Sequence, residues 1–221
     1  MRLPEGEAHH VLKVLRGRKG DALEIVDSDR RLFAAELQGG REAAILESLE
    51  APEDAVEVSL YQAVPKGGRM DLVIEKATEL GAMRIVPLLT QRGIVDAGEG
   101  RVERWRRIAE AAARQSLRMG VPDVLEPLPF VRAVQRVGEN GVLLHNDSGL
   151  DPLEDLVDSP VVSLFVGPEG GWSEKELRLA GETGLARAQL GPYRLRSETA
   201  GVIAVARARA KLESRNVVER R

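Results

Sequence analysis

The chain has 221 residues, no cysteine, three histidines and a net charge of −3. This length suffices for one large domain or two small ones, and the lack of cysteine excludes disulfides, thiolate metal ligands and cysteine nucleophiles. The histidines form no H-E-x-x-H pair, and no run approaches the roughly 18 apolar residues of a membrane span. The N-terminus also lacks a signal-peptide pattern, so we expect a cytoplasmic protein that binds no metal.

The first 50 residues consist of short segments with alternating apolar and polar residues. Two of them, Ala22–Val26 and Arg31–Leu37, have the period-two pattern of strands, and turn residues separate the segments at 18–21, 27–30 and 39–40. This pattern predicts a small β-rich module. Residues 51–57 contain Pro52 and three carboxylates, which is typical of a linker, so we predict domains at 1–52 and 53–221.

Beyond the linker, strand-like and helix-like segments alternate. The predicted strands are Val58–Val64, Arg84–Leu89, Val142–His145, Val161–Val166 and Ala186–Leu190. The predicted helices are Arg69–Gly81, Arg101–Arg118, Ser173–Thr183 and about Thr199–Glu213. Alternation of this kind predicts an α/β domain built on a mostly parallel sheet.

Two of these helices have distinctive faces. On Arg101–Arg118 an apolar stripe is opposed by Arg104, Arg107, Arg114 and Arg118, which share one side at about 100° per residue. This side is either a solvated face or a surface for RNA phosphates. The start of the last helix, 199–206, has no polar side after Thr199, so we expect it to be buried all round.

The strongest local motif is VVSLFVGPEGGWSEKEL, Val161–Leu177. An apolar strand runs into a glycine-rich turn, and Ser173 with Glu176 forms a capping box that opens a helix. The glycines let the backbone turn sharply and expose its polar groups to a ligand. The motif is neither a P-loop nor G-x-G-x-x-G, so it indicates either a tight turn or a site for a small adenine-containing ligand.

Two further loops leave predicted strands at the same end. One is LGPYRLRSETA, Leu190–Ala200, in which Arg196 and Glu198 either pair with each other or act on a ligand. The other follows Leu144 and His145. Ligands of open α/β sheets bind at the carboxyl ends of strands, so the three loops together predict a binding site there.

Three segments carry a family resemblance: Val64–Gly81 (VPKGGRMDLVIEKATELG), Gly167–Leu177 and Leu190–Ala200. They resemble the RsmE family of SPOUT-class methyltransferases, and Glu103–Arg118 and His9–Asp21 fit its middle helix and N-terminal domain. The resemblance implies a small PUA-like, RNA-binding β-barrel followed by a SPOUT-type methyltransferase domain with a C-terminal trefoil knot. It also implies a homodimer that uses S-adenosylmethionine to methylate N3 of a uridine in 16S rRNA of the small ribosomal subunit.

The chain departs from the family pattern at two places. Arg114 stands where the family usually has a glutamate before Gln-Ser, which puts any role of that glutamate in doubt. The chain also begins close to the segment HHVLKVLR, so the first strand of the barrel is expected to be trimmed or absent.

By resemblance, the cofactor lies against the three strand-end loops. The predicted cofactor-binding residues are Leu144, His145, Val166, Gly167, Glu169, Gly170, Gly171, Leu190, Gly191, Leu195, Arg196, Ser197, Thr199 and Ala200. Methylation at N3 needs the imide proton removed and the resulting anion stabilised. We assign stabilisation to Arg196, with Glu198 orienting it or acting as base.

Basic residues outside the cofactor loops are the candidates for RNA contacts. They are Lys13, Arg16, Arg69, Lys76, Arg114 and Arg118. Two alternatives stay open. One is a ribose 2′-O-methyltransferase of the same fold, and the other is a non-catalytic RNA-binding adaptor; a nucleotide-dependent oxidoreductase is disfavoured because the dinucleotide fingerprint is missing.

Overall fold

The computed structural model describes residues 1–27, 31–50, 56–93 and 100–219, with side chains to residue 215. The chain divides into two compact units, 1–53 and 54–221. The predicted boundary between residues 52 and 53 and most of the predicted linker lie outside the described residues, as do residues 28–30 of one predicted turn.

The N-terminal unit is a three-stranded antiparallel meander with a helical segment before it. Its elements are α1 (Glu5–His9), a π-helical turn (His10–Val14), β1 (Ala22–Val26), β2 (Leu32–Gly39) and β3 (Glu42–Leu49). Leu3, Ala8, Ala35, Leu37 and Ala43 form its small core. Strand β3 was not predicted. A single antiparallel bridge joins Arg2 to Glu42, where the sequence led us to expect a trimmed strand.

The C-terminal unit alternates strands and helices. In chain order its elements are β4 (Glu57–Ala63), α2 (Met70–Glu79), β5 (Arg84–Leu89), α3 (Arg101–Gln115), β6 (Asp123–Val124), β7 (Leu128–Pro129), α4 (Phe130–Val137), β8 (Gly141–Leu144), β9 (Asp151–Pro152), β10 (Val161–Val166), α5 (Glu174–Glu182), β11 (Ala186–Gln189) and α6 (Ser197–Glu219). Every pairing described between these strands is parallel. The predicted parallel α/β architecture is therefore confirmed.

The strand order of this sheet is β6-β5-β4-β10-β8-β11-β9, with β7 also pairing with β5. Strand β10 lies between β4 and β8, although about 100 residues of chain separate it from β4. The order thus changes direction around β10, which is where open parallel sheets bind ligands.

Alternating residues of the sheet supply two apolar layers. Leu164 and Val166 of β10 pack into the core shared with α2, α3 and α6, whereas Phe165 packs into the core shared with α4 and α5. Both faces of the sheet are covered, which explains why its strands read as continuous apolar runs. No helix within the described residues is long and apolar enough to cross a membrane.

The last helix differs from its prediction. In 199–206, Ile203 is 36% exposed and Val202 and Ala206 are only half-buried, so the expectation of burial all round was wrong. The sheet and α2 cover only part of α6. Its remaining apolar side faces outward in the single chain.

The predicted arginine face also differs. Helix α3 ends at Gln115, and Leu117 takes a left-handed φ of 55°, so Arg118 lies beyond the helix. The Arg118 guanidinium donates to the carbonyl oxygens of Thr78 and Ala82, each at 2.9 Å, and thereby caps the end of α2. Arg104 pairs with Asp71 at 2.5 Å. The expectation of four arginines on one helix face was therefore wrong: the helix ends too early for Arg118 to share it.

Candidate functional site

A cavity of about 550 Å³ lies at the carboxyl ends of β8, β10 and β11. Most of its wall comes from the three loops that were predicted to lie together, which follow Leu144, Val166 and Gln189. The start of α6 supplies Ser197 and Ala200, and Arg92 enters from the loop after β5. The volume is within the roughly 300–1,000 Å³ usual for small-molecule sites.

All the predicted cofactor-binding residues except Gly191 and Thr199 line this cavity. The wall also contains residues that were not among the predicted cofactor-binding residues: Arg92, Asn146, Asp147, Pro168, Trp172 and Arg194. The motif containing Trp172 was recognised, but its ring was not assigned a role. Arg92 belongs to no motif, and nothing in the sequence placed it near the other loops.

The loop after β10 is held by a chain of hydrogen bonds through the first residue of α6. Gln62 Nε2 at the end of β4 donates to Ser197 Oγ at 2.9 Å, and Ser197 Oγ donates to the carbonyl oxygen of Gly167 at 2.6 Å. Gln62 is fully buried, and its Oε1 has no hydrogen-bond partner among the described residues. The ends of β4 and β10 and the start of α6 are thus fixed to one another.

The rest of this loop is equally constrained. Arg92 Nη1 donates to the carbonyl oxygens of Gly170 and Trp172, both at 3.1 Å, and the Glu169 carboxylate accepts from the Lys66 backbone N–H at 2.9 Å. The predicted capping box of Ser173 and Glu176 is confirmed. The second Glu176 oxygen accepts from the Gln91 backbone N–H at 2.9 Å, which ties the start of α5 to the loop after β5.

Trp172 and the glycines shape the floor of the cavity. Trp172 is 4% exposed, and its Nε1 donates to the carbonyl oxygen of Leu144 at 3.0 Å. A Cβ on Gly167 would stand 3.0 Å from the Trp172 ring, and a Cβ on Gly170 would stand 3.2 Å from Arg92 Cβ. Gly171 has a φ of +68°, which disfavours other residues there. The glycines are therefore needed for this loop to close around the ring.

The loop after β11 is different in character. Gly191, Pro192, Tyr193, Arg194 and Arg196 are all exposed, and Tyr193 is 82% exposed. Arg194 and Arg196 line the cavity, and neither side chain makes a hydrogen bond or ion pair within the described ranges. Two guanidinium groups are thus available at the cavity mouth for a ligand.

Glu198 is placed against Arg69, not against Arg196. Its side chain is 7% exposed; one carboxylate oxygen lies 3.4 Å from Arg69 Nε, and the other has no hydrogen-bond partner among the described residues. Glu198 does not line the cavity. Removing Arg69 would leave this buried carboxylate without the cation that faces it, which is costly.

The predicted RNA-contacting residues are placed unequally. Lys13, Arg16 and Arg114 are exposed, whereas Arg69 pairs with Glu198 and Arg118 caps α2. Lys76 lies 2.7 Å from Glu75 and 2.8 Å from Glu79, and hydrogen bonds to these two carboxylates raise the pKa of Lys76. Carboxylates compete with phosphate for such a group, so Lys76 is a weaker candidate than the exposed residues.

An ion pair holds the beginning of the loop after β11. Arg207 of α6 binds the Glu154 carboxylate with two nitrogens, and its Nη1 donates to the carbonyl oxygen of Leu190 at 2.7 Å. Burial alone would raise the pKa of Glu154, but hydrogen bonding and charge from Arg207 outweigh it and lower that pKa. Leu190 is therefore held by this interaction, whereas the exposed side chains that follow it have no such contact among the described residues.

Titratable groups on the cavity wall are His145, Asp147 and Glu169. His145 Nδ1 lies 3.2 Å from Asp147 Oδ2. Across the part of the chain that the structure describes, no group of three or more histidines and carboxylates is arranged to hold a metal ion.

Two family models match the chain. One, described as an RNA methyltransferase domain, covers residues 52–209, and the other, described as an RNA methyltransferase PUA domain, covers residues 3–47. Ribosomal RNA small subunit methyltransferase E of Synechocystis sp. is 36% identical over 222 residues, spanning 96% of this chain and 73% of that protein.

Solved structures agree with these matches. A Legionella pneumophila methyltransferase in complex with SAM matches with a TM-score of 0.77 and 30% identity, over 95% of this chain and 91% of that one. Ribosomal RNA small subunit methyltransferase E of Neisseria gonorrhoeae, bound to S-adenosyl methionine, matches with a TM-score of 0.76 and 30% identity, over 93% and 89%. The predicted α/β methyltransferase fold with a PUA-like domain is confirmed, whereas the knot stays a prediction.

Proposed function

The chain belongs to the ribosomal RNA small subunit methyltransferase E family, and from this premise we propose that it methylates N3 of a uridine in small-subunit rRNA. The methyl donor is S-adenosylmethionine. The observation that carries the proposal is the cavity at the carboxyl ends of β8, β10 and β11, because the relatives with bound cofactor share the fold that builds it.

The residues of the cavity fit such a cofactor. Leu144, Val166 and Leu190 offer apolar surface, and three of the five residues of the turn from Gly167 to Gly171 are glycines, which have no side chain to cover the backbone. Bound S-adenosylmethionine supplies an electrophilic methyl group on a sulfonium centre. Small-molecule sites usually combine apolar walls with polar groups that fix the orientation of the ligand, and this cavity contains both.

Arg196 is the residue that we assign to stabilisation of the uracil anion. Once N3 has given up its proton, negative charge spreads to O2 and O4, and a positive group fixed near either oxygen favours that charge. Arg196 lines the cavity and has no carboxylate partner among the described residues. Glu198 contacts Arg69 and does not line the cavity, so in this proposal its role is to hold Arg69 in position.

The proton acceptor is sought among His145, Asp147 and Glu169, which line the cavity, whereas Glu198 does not. Measurement of kcat in His145→Gln, Asp147→Asn and Glu169→Gln distinguishes them. Loss of the proton acceptor should lower kcat by about 10²–10⁴, whereas the other two variants should lose less.

Nucleoside mass spectrometry of rRNA tests the reaction directly. Small-subunit rRNA from cells lacking the protein is incubated with the protein and S-adenosylmethionine and then digested. Formation of 3-methyluridine supports the proposal. A 2′-O-methylated nucleoside identifies the ribose methyltransferase alternative, and no methylated product with intact RNA binding identifies the adaptor.

Calorimetry with S-adenosylmethionine tests the cavity separately from RNA. Gly170→Val should weaken binding, because a Cβ there already stands 3.2 Å from Arg92 Cβ and the branched side chain displaces Arg92. Equal affinity in the variant and the wild type would mean that this loop does not hold the cofactor.

Partners complete the proposal. We take the small ribosomal subunit as the setting of the RNA, the cytoplasm as the location, and the exposed Lys13, Arg16 and Arg114 as phosphate contacts. The outward apolar side of α6, with Ile203, supports a homodimer burying about 1,200 Å² or more. Light scattering at micromolar concentration tests the dimer, and a monomer mass contradicts it.

A further inference from the structure

A second cavity, of about 500 Å³, adjoins the proposed cofactor cavity on its α5 side. Arg92, His145, Asp147 and Trp172 line both cavities. The remaining wall comes from Glu174, Leu177 and Arg178, and from Arg187 of β11. We call this space the basic cavity. Because the two cavities share these four residues, one part of a ligand in the cofactor cavity would lie next to another part in the basic cavity.

Arginine dominates the charge of the basic cavity. Arg92, Arg178 and Arg187 face two carboxylates, Asp147 and Glu174. One of these carboxylates, Asp147, lies 3.2 Å from His145 Nδ1. The side chains of Arg178 and Arg187 make no hydrogen bond or ion pair with any residue that the structure describes. Their donors are therefore free to meet an anion from outside the chain.

The backbone that carries these two arginines is firmly placed. Arg187 pairs in register with Leu143 of β8 and is followed by the fully buried Ala188. Arg178 follows Leu177 on α5, and Leu177 packs against the apolar core. Both arginine side chains are themselves exposed, so an anion can reach them from solvent. Two accessible guanidinium groups thus line one cavity, carried by backbone that is fixed by the sheet and the core.

We propose that the basic cavity binds a backbone phosphate next to the target nucleotide while the target base lies at the mouth of the cofactor cavity, beside the bound cofactor. This inference rests on the proposed function, since it takes RNA as the substrate. A base turned out of a strand carries its own phosphates with it, so an anion site must lie beside the base site. A guanidinium fork binds two phosphate oxygens at once and fixes orientation as well as position.

The experiment compares Arg178→Ala/Arg187→Ala with the wild type on small-subunit rRNA that lacks the modification. We expect KM for the RNA to rise about tenfold or more, the effect usual when charge-assisted hydrogen bonds are removed. The dependence of log affinity on log salt should flatten by about 0.7–0.9 for each phosphate that is no longer neutralised. The affinity for S-adenosylmethionine, measured without RNA, should stay within about twofold of wild type.

Three further variants sharpen the test. Arg132→Ala/Arg136→Ala removes two exposed charges from α4 and should leave KM unchanged. Arg178→Lys/Arg187→Lys keeps the charge but not the fork, so the salt dependence should return while the affinity recovers only in part. Glu174→Gln removes a repelling carboxylate and should lower KM about twofold.

An unchanged KM for RNA in the double variant overturns the phosphate site. If the double variant loses affinity for S-adenosylmethionine as strongly as it loses affinity for RNA, the basic cavity belongs to the cofactor site instead. If the double variant melts early, Arg178→Ala alone carries the test, because Arg178 is exposed on α5 and lies outside the sheet. Absence of methylation by the wild type refutes the proposed function, a result distinct from either of these.

Discussion

The two loops that close the cofactor cavity are held in opposite ways. The loop after β10 is bound at nearly every residue, through Ser197 to Gly167, through Arg92 to Gly170 and Trp172, and through the Lys66 N–H to Glu169. The loop after β11 is fixed at Leu190 by Arg207, and then its exposed side chains make no hydrogen bond within the described residues.

This difference suits the two ligands of the site, a small cofactor and a large RNA. A site for a small molecule gains from groups that are already in place, because no ordering cost then arises on binding. A loop that meets a large and irregular surface such as folded RNA gains from freedom to adjust. We therefore expect changes in the first loop to cost stability and cofactor affinity, and changes of the exposed arginines in the second loop to cost turnover with little loss of stability.

The largest expected effect is on stability, from Trp172→Ala. The ring is buried, packs 4.8 Å from the Phe130 ring centroid and closes the turn at Gly167. Its removal should lower the free energy of unfolding by about 3–5 kcal/mol, measured by urea denaturation. Trp172→Phe keeps most of the volume and should cost less. A loss below about 1 kcal/mol in the alanine variant would show that the loop does not depend on this ring.

Arg196→Ala should have an effect of similar size, but on kcat. Removal of one group that stabilises developing negative charge typically lowers kcat by about 10²–10³. The free energy of unfolding should stay within about 0.5 kcal/mol of wild type, since Arg196 is exposed and unpaired among the described residues. Arg196→Lys should recover part of kcat. If Arg196→Ala lowered stability and left kcat unchanged, the proposed difference between the two loops would be wrong.

Ser197 connects the loop after β10 to the start of α6, and Ser197→Ala should have an effect smaller than that of Trp172→Ala or Arg196→Ala. It leaves the Gly167 carbonyl without its hydrogen-bond donor and Gln62 Nε2 with the Ala63 carbonyl oxygen as its remaining acceptor, at a cost of about 1–3 kcal/mol. Urea denaturation measures the cost, and calorimetry should show weaker binding of S-adenosylmethionine. Ser197→Thr keeps the hydroxyl and serves as control; equal losses in both variants would mean that packing, not hydrogen bonding, decides.

The smallest effect concerns pH. Because the folded-state pKa of Glu154 lies below its ordinary value, the Arg207 pair stabilises the fold above about pH 4.5, and this stabilisation disappears as pH falls through the lowered pKa. Glu154→Gln should be less stable at pH 7 by at most about 1 kcal/mol, as the pair is partly exposed. The melting temperatures of the wild type and Glu154→Gln should converge in acid. A difference in melting temperature that does not change with pH would show that the ion pair is not the cause of the difference.

The sequence predicted local elements well where the pattern was strong. Strand β10 matches its predicted bounds, and the Ser173–Glu176 capping box is present, because both depend on neighbouring residues. Helix α4 and strand β3 were missed. The helix has only eight residues and no side-chain cap, and in the strand the adjacent apolar residues Ile45 and Leu46 interrupt the alternation.

Interactions between distant segments were beyond the sequence pattern. The spacing of residues gave no sign that Glu198 meets Arg69, that Arg92 reaches the loop after β10, or that Arg118 binds the end of α2. Each depends on how distant segments come together, and in this sheet β10 pairs with β4 and β8, out of chain order. The strand ends that form the cavity were predictable only because all carboxyl ends of a parallel sheet lie together.

The position of β10 also has a consequence for how the chain is made. Synthesis releases β4, β5 and β8 before β10, yet β10 is the strand that joins β4 to β8. Until Val166 has left the ribosome, two apolar strands present open edges, and such edges are prone to pair with other chains. The sheet is therefore completed late, and the cavity comes into existence only when the residues up to Ala200 have followed.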